Sequence, residues 1–312
     1  MDEQELLSKI RALVDRPSTS DLIVGNGDDG AVLNAGSANV VVSTDIAVEG
    51  VHFRRDWSTP YQIGRKITAA NLADICAMGG WPRFLLVSAV IPPSFLDHVE
   101  ELTRGIADEA DLVGAQVVGG DISSGDSLIL NITAIGYCDK VIKRSGAIPG
   151  DFVVVSHLPG WSKAGFELLR GGVVPKSDFE SRAINQHLAP SLPYDRYKES
   201  VAPLHCATDI SDGLLIDAGH ISSASEVNID IETDLIRSEI ENSQLAELQL
   251  PHEDLVEYVL TSGEEHVLLG TAADPASLPG FIVLGRVREG NGVTIDGTAA
   301  KLRNSGFQHR WN

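Results

Sequence analysis

The sequence is short of cysteine, of cationic side chains and of long apolar runs, and each shortage closes off a class of function. Cysteine occurs three times in 312 residues, at Cys76, Cys138 and Cys206. The number is odd and the spacing fits no metal-binding or disulfide framework, so reduced thiols in a reducing compartment are expected. Apolar neighbours mark each thiol as core filler rather than a nucleophile. Lys and Arg number 24 against 44 Asp and Glu, a formal charge of −20. Such a surface repels nucleic acid and anionic lipid, and neither is expected as a partner. No apolar stretch approaches membrane length, and the acidic start Met1-Asp2-Glu3-Gln4-Glu5 differs from a secretory leader, which opens basic. A cytoplasmic protein is the expectation.

What is present is enough for ordinary cores. Hydrophobic residues make up 43% of the chain, and its length favours two domains. The best boundary is Pro149-Gly150-Asp151, a turn signal ahead of a strand over 152–156, giving domains 1–148 and 149–312. Leu6, Leu7, Ile10, Leu13 and Val14 predict an amphipathic helix at the start. Pro60 opens a helix that carries Ile63, Ile67, Ala70, Asn71, Asp74 and Met78 and stops at Gly79-Gly80. A second helix is expected over 93–113, with strands over 40–44, 84–91, 116–118 and 128–137. In the second half, strands near 205–210, 227–232, 265–270 and 281–287 are interleaved with helices near 162–170, 178–188, 214–224, 235–247 and 252–260. Neither half alternates regularly enough for a doubly wound sheet. The fold class is therefore α+β, an N-terminal mixed sheet domain followed by a C-terminal α+β domain.

The organising stretch is Val40-Val41-Val42, a β-branched run that reads as a strand ending at Ser43-Thr44-Asp45, with Gly50-Val51-His52 just beyond. Similar acid-bearing junctions recur at Asp28-Asp29, at Gly119-Gly120-Asp121 and at Asp209-Ile210-Ser211-Asp212-Gly213. Asp74 stands on a largely apolar helix face one turn from Asn71, which needs a partner to be tolerable. A single Asp is ordinarily a turn or cap residue. The set is not so easily explained: gathered carboxylates repel one another, and Mg²⁺ takes a few of them together with phosphate oxygens and water. The reading is a magnesium cage for nucleotide phosphates.

Other residues keep two readings. Ser43, Thr44 and Ser211 are turn formers or further oxygen ligands. Gly120 admits a phosphate close to the backbone, and Arg144 offers a forked phosphate contact or a solvated surface charge. His52 is divided between a structural role and a substrate contact. Glu264-Glu265 are read as opening the strand at 266–269, and either one Glu of the pair binds a cationic ring or amine or the two form a charged strand edge. Phe307 anchors the C-terminus or stacks on a flat ligand. Gly25, Gly27 and Gly30 satisfy the dinucleotide pattern G-x-G-x-x-G, but Asn34-Ala35-Gly36 breaks the helix that pattern requires. The segment at 209–213 is no EF-hand loop, because its Gly comes too early.

With these residues in hand, the chain resembles the thiamine-monophosphate kinase family, in the broader group of aminoimidazole ribonucleotide synthetase and selenophosphate synthetase. The likeness runs through Gly27-Asp28-Asp29, Ser43-Thr44-Asp45, Gly50-Val51-His52, Asn71-Leu72-Ala73-Asp74, Ala77-Met78-Gly79 and Gly119-Gly120-Asp121. It continues through Arg144-Ser145-Gly146, Asp209 to Leu214, Ser262-Gly263-Glu264-Glu265 and Gly306-Phe307. The resemblance implies ATP-dependent phosphorylation of thiamine monophosphate to thiamine diphosphate by a homodimer. It implies magnesium positions at Asp29, Ser43, Thr44, Asp45, Asp74, Asp121, Asp209 and Asp212, with Asp45, Asp121 and Asp209 central to catalysis. Nucleotide contacts fall at Gly120, Asp121, Arg144 and Ser211, and thiamine-phosphate contacts at His52, Glu264 and Phe307. One motif departs. The family commonly reads Gly-Gly-Glu-Asp-Tyr-Glu-Leu, and Ser262, Glu265, His266 and Val267 replace four of those seven. Trp311 is a second candidate for the stacking aromatic. Two rivals are kept: another ATP-dependent synthetase or cyclase of the same group, and a non-enzymatic divalent-ion-binding protein.

Overall fold

In this computed structural model the described residues are 22–24, 28–29, 31–34 and 38–300. The helix expected near the start, Phe307 and Trp311 lie outside them. Two mixed sheets organise the chain. The first has the order β1-β2-β3-β6-β4-β5, from Leu22–Val24, Ala31–Asn34, Asn39–Val48, Ile129–Cys138, Trp81–Ile91 and Gln116–Ser124. Its spine is the ten-residue antiparallel ladder of β3 and β6, from Asn39 opposite Cys138 to Val48 opposite Ile129. Only β4 and β5 pair in parallel within it.

One face of this sheet is covered by α1 (Pro60–Ala77) and α2 (Val99–Asp111). A reciprocal capping box of Thr59 and Gln62 starts α1, with Pro60 in its first turn. Gly64 and Gly105 lie where the two helices cross. A Cβ on either would strike backbone of the other helix, so these positions set how closely the pair can pack. Ile63, Leu72, Ile75, Met78, Leu85, Leu130 and Ile132 fill the space beneath. The opposite face is bare: Ile46, Leu86 and Tyr137 are exposed there, and β5 is exposed along its whole length.

The second sheet has the order β13-β12-β9-β11-β7-β10-β8. Its strands are β7 (Phe152–Val155), β8 (Cys206–Asp209), β9 (Asn228–Ile231), β10 (Leu268–Ala272), β11 (Ile282–Arg288), β12 (Gly292–Ile295) and β13 (Thr298–Ala299). Around it are α3 (Trp161–Arg170), α4 (Asp178–Leu188), α5 (Tyr194–Ser200), α6 (Leu214–Ser225), α7 (Thr233–Asn242) and α8 (His252–Thr261). The two halves are not insulated from each other. Leu192, Tyr194, Tyr197 and Leu268 belong to the first core, and the Tyr194 hydroxyl donates to buried Glu109 at 2.6 Å. Arg65 donates to the same carboxylate at 2.7 Å.

Several sequence expectations are corrected here. Ser43-Thr44-Asp45 does not end its strand, because β3 continues to Val48 against β6. Gly119-Gly120-Asp121 is likewise mid-strand in β5. The helix over 93–113 is a 3₁₀ segment, Pro93–His98, followed by α2. The strand expected from residue 266 begins at Leu268, and Glu264 and His266 instead adopt left-handed backbone. Two short strands, β12 and β13, carry no strong periodic signal. All three cysteines are buried and free. Among the described residues no helix is long and apolar enough to cross a membrane.

Candidate active site

The site forms where α1, β3 and β8 meet. Side chains on a strand alternate between faces, so Ser43 and Asp45 of β3 turn inward to α1 while Thr44 turns out. On α1, Asn71 and Asp74 are one turn apart on the face that meets them. The Asn71 side chain accepts the Asp45 backbone N–H at 3.2 Å, and the Ser43 hydroxyl donates to Asp74 at 2.7 Å. Asp209 is the last residue of β8 and almost wholly buried. Asp29 arrives from the segment before β2. Oxygens of Asp29, Asp74 and Asp209 all lie within 4.8 Å of one another. These residues are 45 and 135 positions apart in sequence, and only the fold gathers them.

Such a gathering is costly without a cation. Burial raises the Asp29 carboxyl to about 8, and Asp209's charge adds to this, despite the Arg144 guanidinium and the Thr208 hydroxyl beside it. Burial and the charges of Asp45, Asp209 and Asp29 hold Asp74 well above the usual carboxylate range. Asp45 is raised by burial and by Asp209, and it shares a hydrogen bond with Asp74. Arg144 pairs with Asp29, Thr208 donates to the same oxygen at 3.0 Å, and the second Asp29 oxygen is buried with no hydrogen-bond partner. A buried, unpartnered carboxylate oxygen facing two more carboxylates has the chemistry of a hard-cation ligand set. The residues fit a divalent metal.

Beyond this cluster the residues divide. Ser211 and Asp212 form the turn between β8 and α6, where buried Asp217 accepts the N–H groups of Asp212 and Gly213, each at 3.1 Å. The Thr44 hydroxyl faces away from the acids and joins Thr133 and the Ile132 carbonyl on the bare face. Asp121 also stands apart. It pairs with Ser88 on the edge strand, three strand spacings from β3 or about 14 Å. Gly120 has a structural reason to be glycine, since a Cβ there would collide with the Val87 carbonyl on β4. The His52 Nδ1 accepts the Val48 N–H at 3.0 Å and closes its turn, which leaves the ring proton on Nε2.

The Glu264 loop shows what local pattern missed. Lys66 is buried on α1 and its ammonium meets Glu264 at 2.8 Å. Burial would raise the Glu264 carboxyl, but the Lys66 ammonium pulls it below the usual range. Burial depresses His187 to about 4, so that ring is neutral. Trp57, Phe166 and His187 pack edge to face beside this pair, with centroids 5.5 to 6.4 Å apart. Lys66, Ala70 and Asp74 are spaced i, i+4, i+8 on α1, a stripe leading from the acids to Glu264 over about 12 Å. That spacing is the signal that could have found Lys66.

Glu265 serves the fold instead. Its carboxylate accepts the N–H groups of Gly160 and Ser162 at 2.7 and 2.8 Å and the Ser262 hydroxyl at 2.6 Å, anchoring the start of α3. Glu265→Ala is expected to lower stability by about 2–3 kcal/mol, read as the denaturant midpoint. An unchanged midpoint would contradict this role.

The sequence profile for AIR synthase related protein, N-terminal domain, matches residues 27–138. The chain is 36% identical over 287 residues to thiamine-monophosphate kinase of Mycobacterium tuberculosis, covering 90% of this chain and 84% of that one. The chain belongs to the thiamine-monophosphate kinase family. A second relative, the thiamine-monophosphate kinase of Aquifex aeolicus, is 33% identical over 286 residues, covering 91% of this chain and 92% of the relative. The solved structure described as AaThiL complexed with AMPPCP and TMP superposes with a TM-score of 0.86 at 29% identity, covering 99% of this chain and 97% of that one. The mixed α and β architecture with two sheets is thus that of the thiamine-monophosphate kinases.

Proposed function

We propose that this chain transfers the γ-phosphoryl group of ATP to thiamine monophosphate, giving thiamine diphosphate, by direct in-line displacement. The observation that carries this is the meeting of Asp29, Asp74 and Asp209 within 4.8 Å. Asp29, Asp45, Asp74 and Asp209, with the Ser43 hydroxyl and Asp212 at the rim, would hold Mg²⁺. Bound Mg²⁺ supplies neutralisation of the phosphate charges and aligns donor and acceptor.

The acceptor is a phosphate monoester with a second pKa of about 6, already mostly ionised at neutral pH. A strong general base is unnecessary, and no covalent enzyme intermediate is expected. The residues' task is to overcome repulsion between two polyanions. Arg144 adds a forked cation next to Asp29 and is assigned to the nucleotide with Ser211. Glu264, beside His187 and its aromatic neighbours Trp57 and Phe166, is assigned to the cationic ring of the substrate, with His52 as a further substrate contact and Phe307 as the stacking aromatic. A cytoplasmic setting accords with three free cysteines.

The bare face of the first sheet supports a homodimer. Ile46, Leu86 and Tyr137 on that face, with Val117, Val118 and Ile122 along its edge strand, are 39 to 68% exposed, a patch that a monomer seldom leaves in water. Gly120 and Asp121 lie on the edge strand of that surface, and their nucleotide and metal contacts are assigned to the assembled dimer. Ile122→Glu is expected to shift sedimentation from dimer to monomer at micromolar protein. A dimer of unchanged affinity would contradict this interface.

ADP formation with Mg²⁺ and ATP, compared across acceptors, tests the function. Thiamine monophosphate should drive turnover and thiamine should not. ADP release driven by another acceptor would favour a synthetase or cyclase, and metal binding without turnover would favour a non-enzymatic protein.

A further inference from the structure

Three consecutive residues of the loop before β10 send their side chains to three different places. Glu264 goes to Lys66 of α1 and Glu265 goes to the N-terminus of α3. His266 goes to Asp209, its Nδ1 lying 2.9 Å from Oδ2, with both side chains buried. The loop reaches this geometry by threading along the 209–212 turn. Glu264 N–H donates to the Ser211 carbonyl at 2.7 Å, His266 N–H to the Ile210 carbonyl at 2.8 Å, and Ile210 N–H returns to Val267 at 2.9 Å. The Tyr197 hydroxyl, itself buried, donates to the His266 carbonyl at 3.2 Å. Glu264 and His266 both hold left-handed backbone, φ 56° and 53°. A non-glycine residue persists there only when its surroundings over-determine it.

We infer that His266 is a positioning residue for the metal centre. Its Nδ1–H pins the Asp209 carboxylate toward Asp29 and Asp74, against the repulsion that would otherwise turn it away before a cation arrives. The inference rests on the reading of the acid cluster as a metal site and adds a residue to it. His266 is also one of the four places where this chain departs from the family's Gly-Gly-Glu-Asp-Tyr-Glu-Leu pattern. The orientation of Asp209 is therefore supported here by a ring nitrogen. Partners that orient a metal-ligating group typically change metal affinity ten- to a hundredfold when removed.

Two variants separate donor from backbone. His266→Asn tolerates the left-handed conformation and places an amide N–H near the position of Nδ1. His266→Gly tolerates it as well and donates nothing. Mn²⁺ is titrated into the nucleotide-free protein and free Mn²⁺ is read by electron paramagnetic resonance, with apo melting curves as a check on folding. His266→Gly should raise the dissociation constant for Mn²⁺ about 10- to 100-fold, and His266→Asn should recover most of the loss. Equal affinities for wild type and His266→Gly, or equal losses in both variants, would overturn the positioning role while leaving the cage intact. A wild-type protein that takes up no Mn²⁺ would overturn the cage and this role together.

Discussion

Asp74→Asn is expected to lower kcat about a thousandfold and, in the same protein stripped of metal by EDTA, to raise the melting temperature. The two effects have one cause. Asp74 sits under Ser43 and beside Asp29, Asp45 and Asp209, so without a cation folding must either hold its charge against theirs or keep it protonated. Removing that charge relieves the apo protein by ~1–2 kcal/mol, the usual exchange of stability for function at strained sites. The amide still accepts the Ser43 hydroxyl hydrogen, so the fold around α1 is preserved. It cannot neutralise a cation, and the phosphates lose their counter-charge. An ordinary buried Asp held by a hydroxyl would behave oppositely, losing stability when altered. A variant that both turns over normally and melts lower would refute the role given to Asp74.

The second large effect is a reversal of pH dependence by magnesium. Asp29, Asp45 and Asp74 all have carboxyls raised by burial and mutual repulsion, Asp29 to about 8. Each therefore binds its proton more tightly folded than unfolded. That contribution to stability is fully present below about pH 4, where the unfolded chain is protonated too, and is lost as pH rises through the folded value. The metal-free protein should melt several degrees lower at pH 8.5 than at about pH 5.5. Magnesium binds only the ionised carboxylates, so its stabilisation should grow over the same interval. Differential scanning fluorimetry at both pH values, with Mg²⁺ or EDTA, separates the cases. A magnesium-induced rise in melting temperature of equal size at the two pH values would show that these carboxyls are not where the ion binds.

These outcomes rest on residues that sequence reasoning reached unequally. Asp74 was legible because helical spacing placed a carboxylate on an apolar face, and the extent of α1 follows from Thr59, Pro60 and Gly79. A β-branched run followed by three oxygen-bearing side chains reads as a strand end, which hides the alternation of Ser43, Thr44 and Asp45. Once β3 is known to run on to Val48, period two sends Thr44 to the face opposite its neighbours. Asp121 was read the same way, and its place on an edge strand came from pairing with β4, which no local pattern encodes. Glu264 stands out as one of an acidic pair following Ser262-Gly263. Its partner Lys66 is 198 residues away and His266 finds Asp209 across 57, separations at which propensity and periodicity carry no information. Glu265 carries no distinguishing signal for a related reason: the helix start it anchors is remote in sequence.

The central claim is that these remote carboxylates form a binding site for a divalent ion. Crystals soaked in Mn²⁺ and measured near the manganese absorption edge test it most directly. An anomalous peak is expected among Asp29, Asp74 and Asp209, about 2.0–2.4 Å from a carboxylate oxygen of each residue that ligates it. Anomalous density confined to other acidic surfaces, with none among these three, would contradict it.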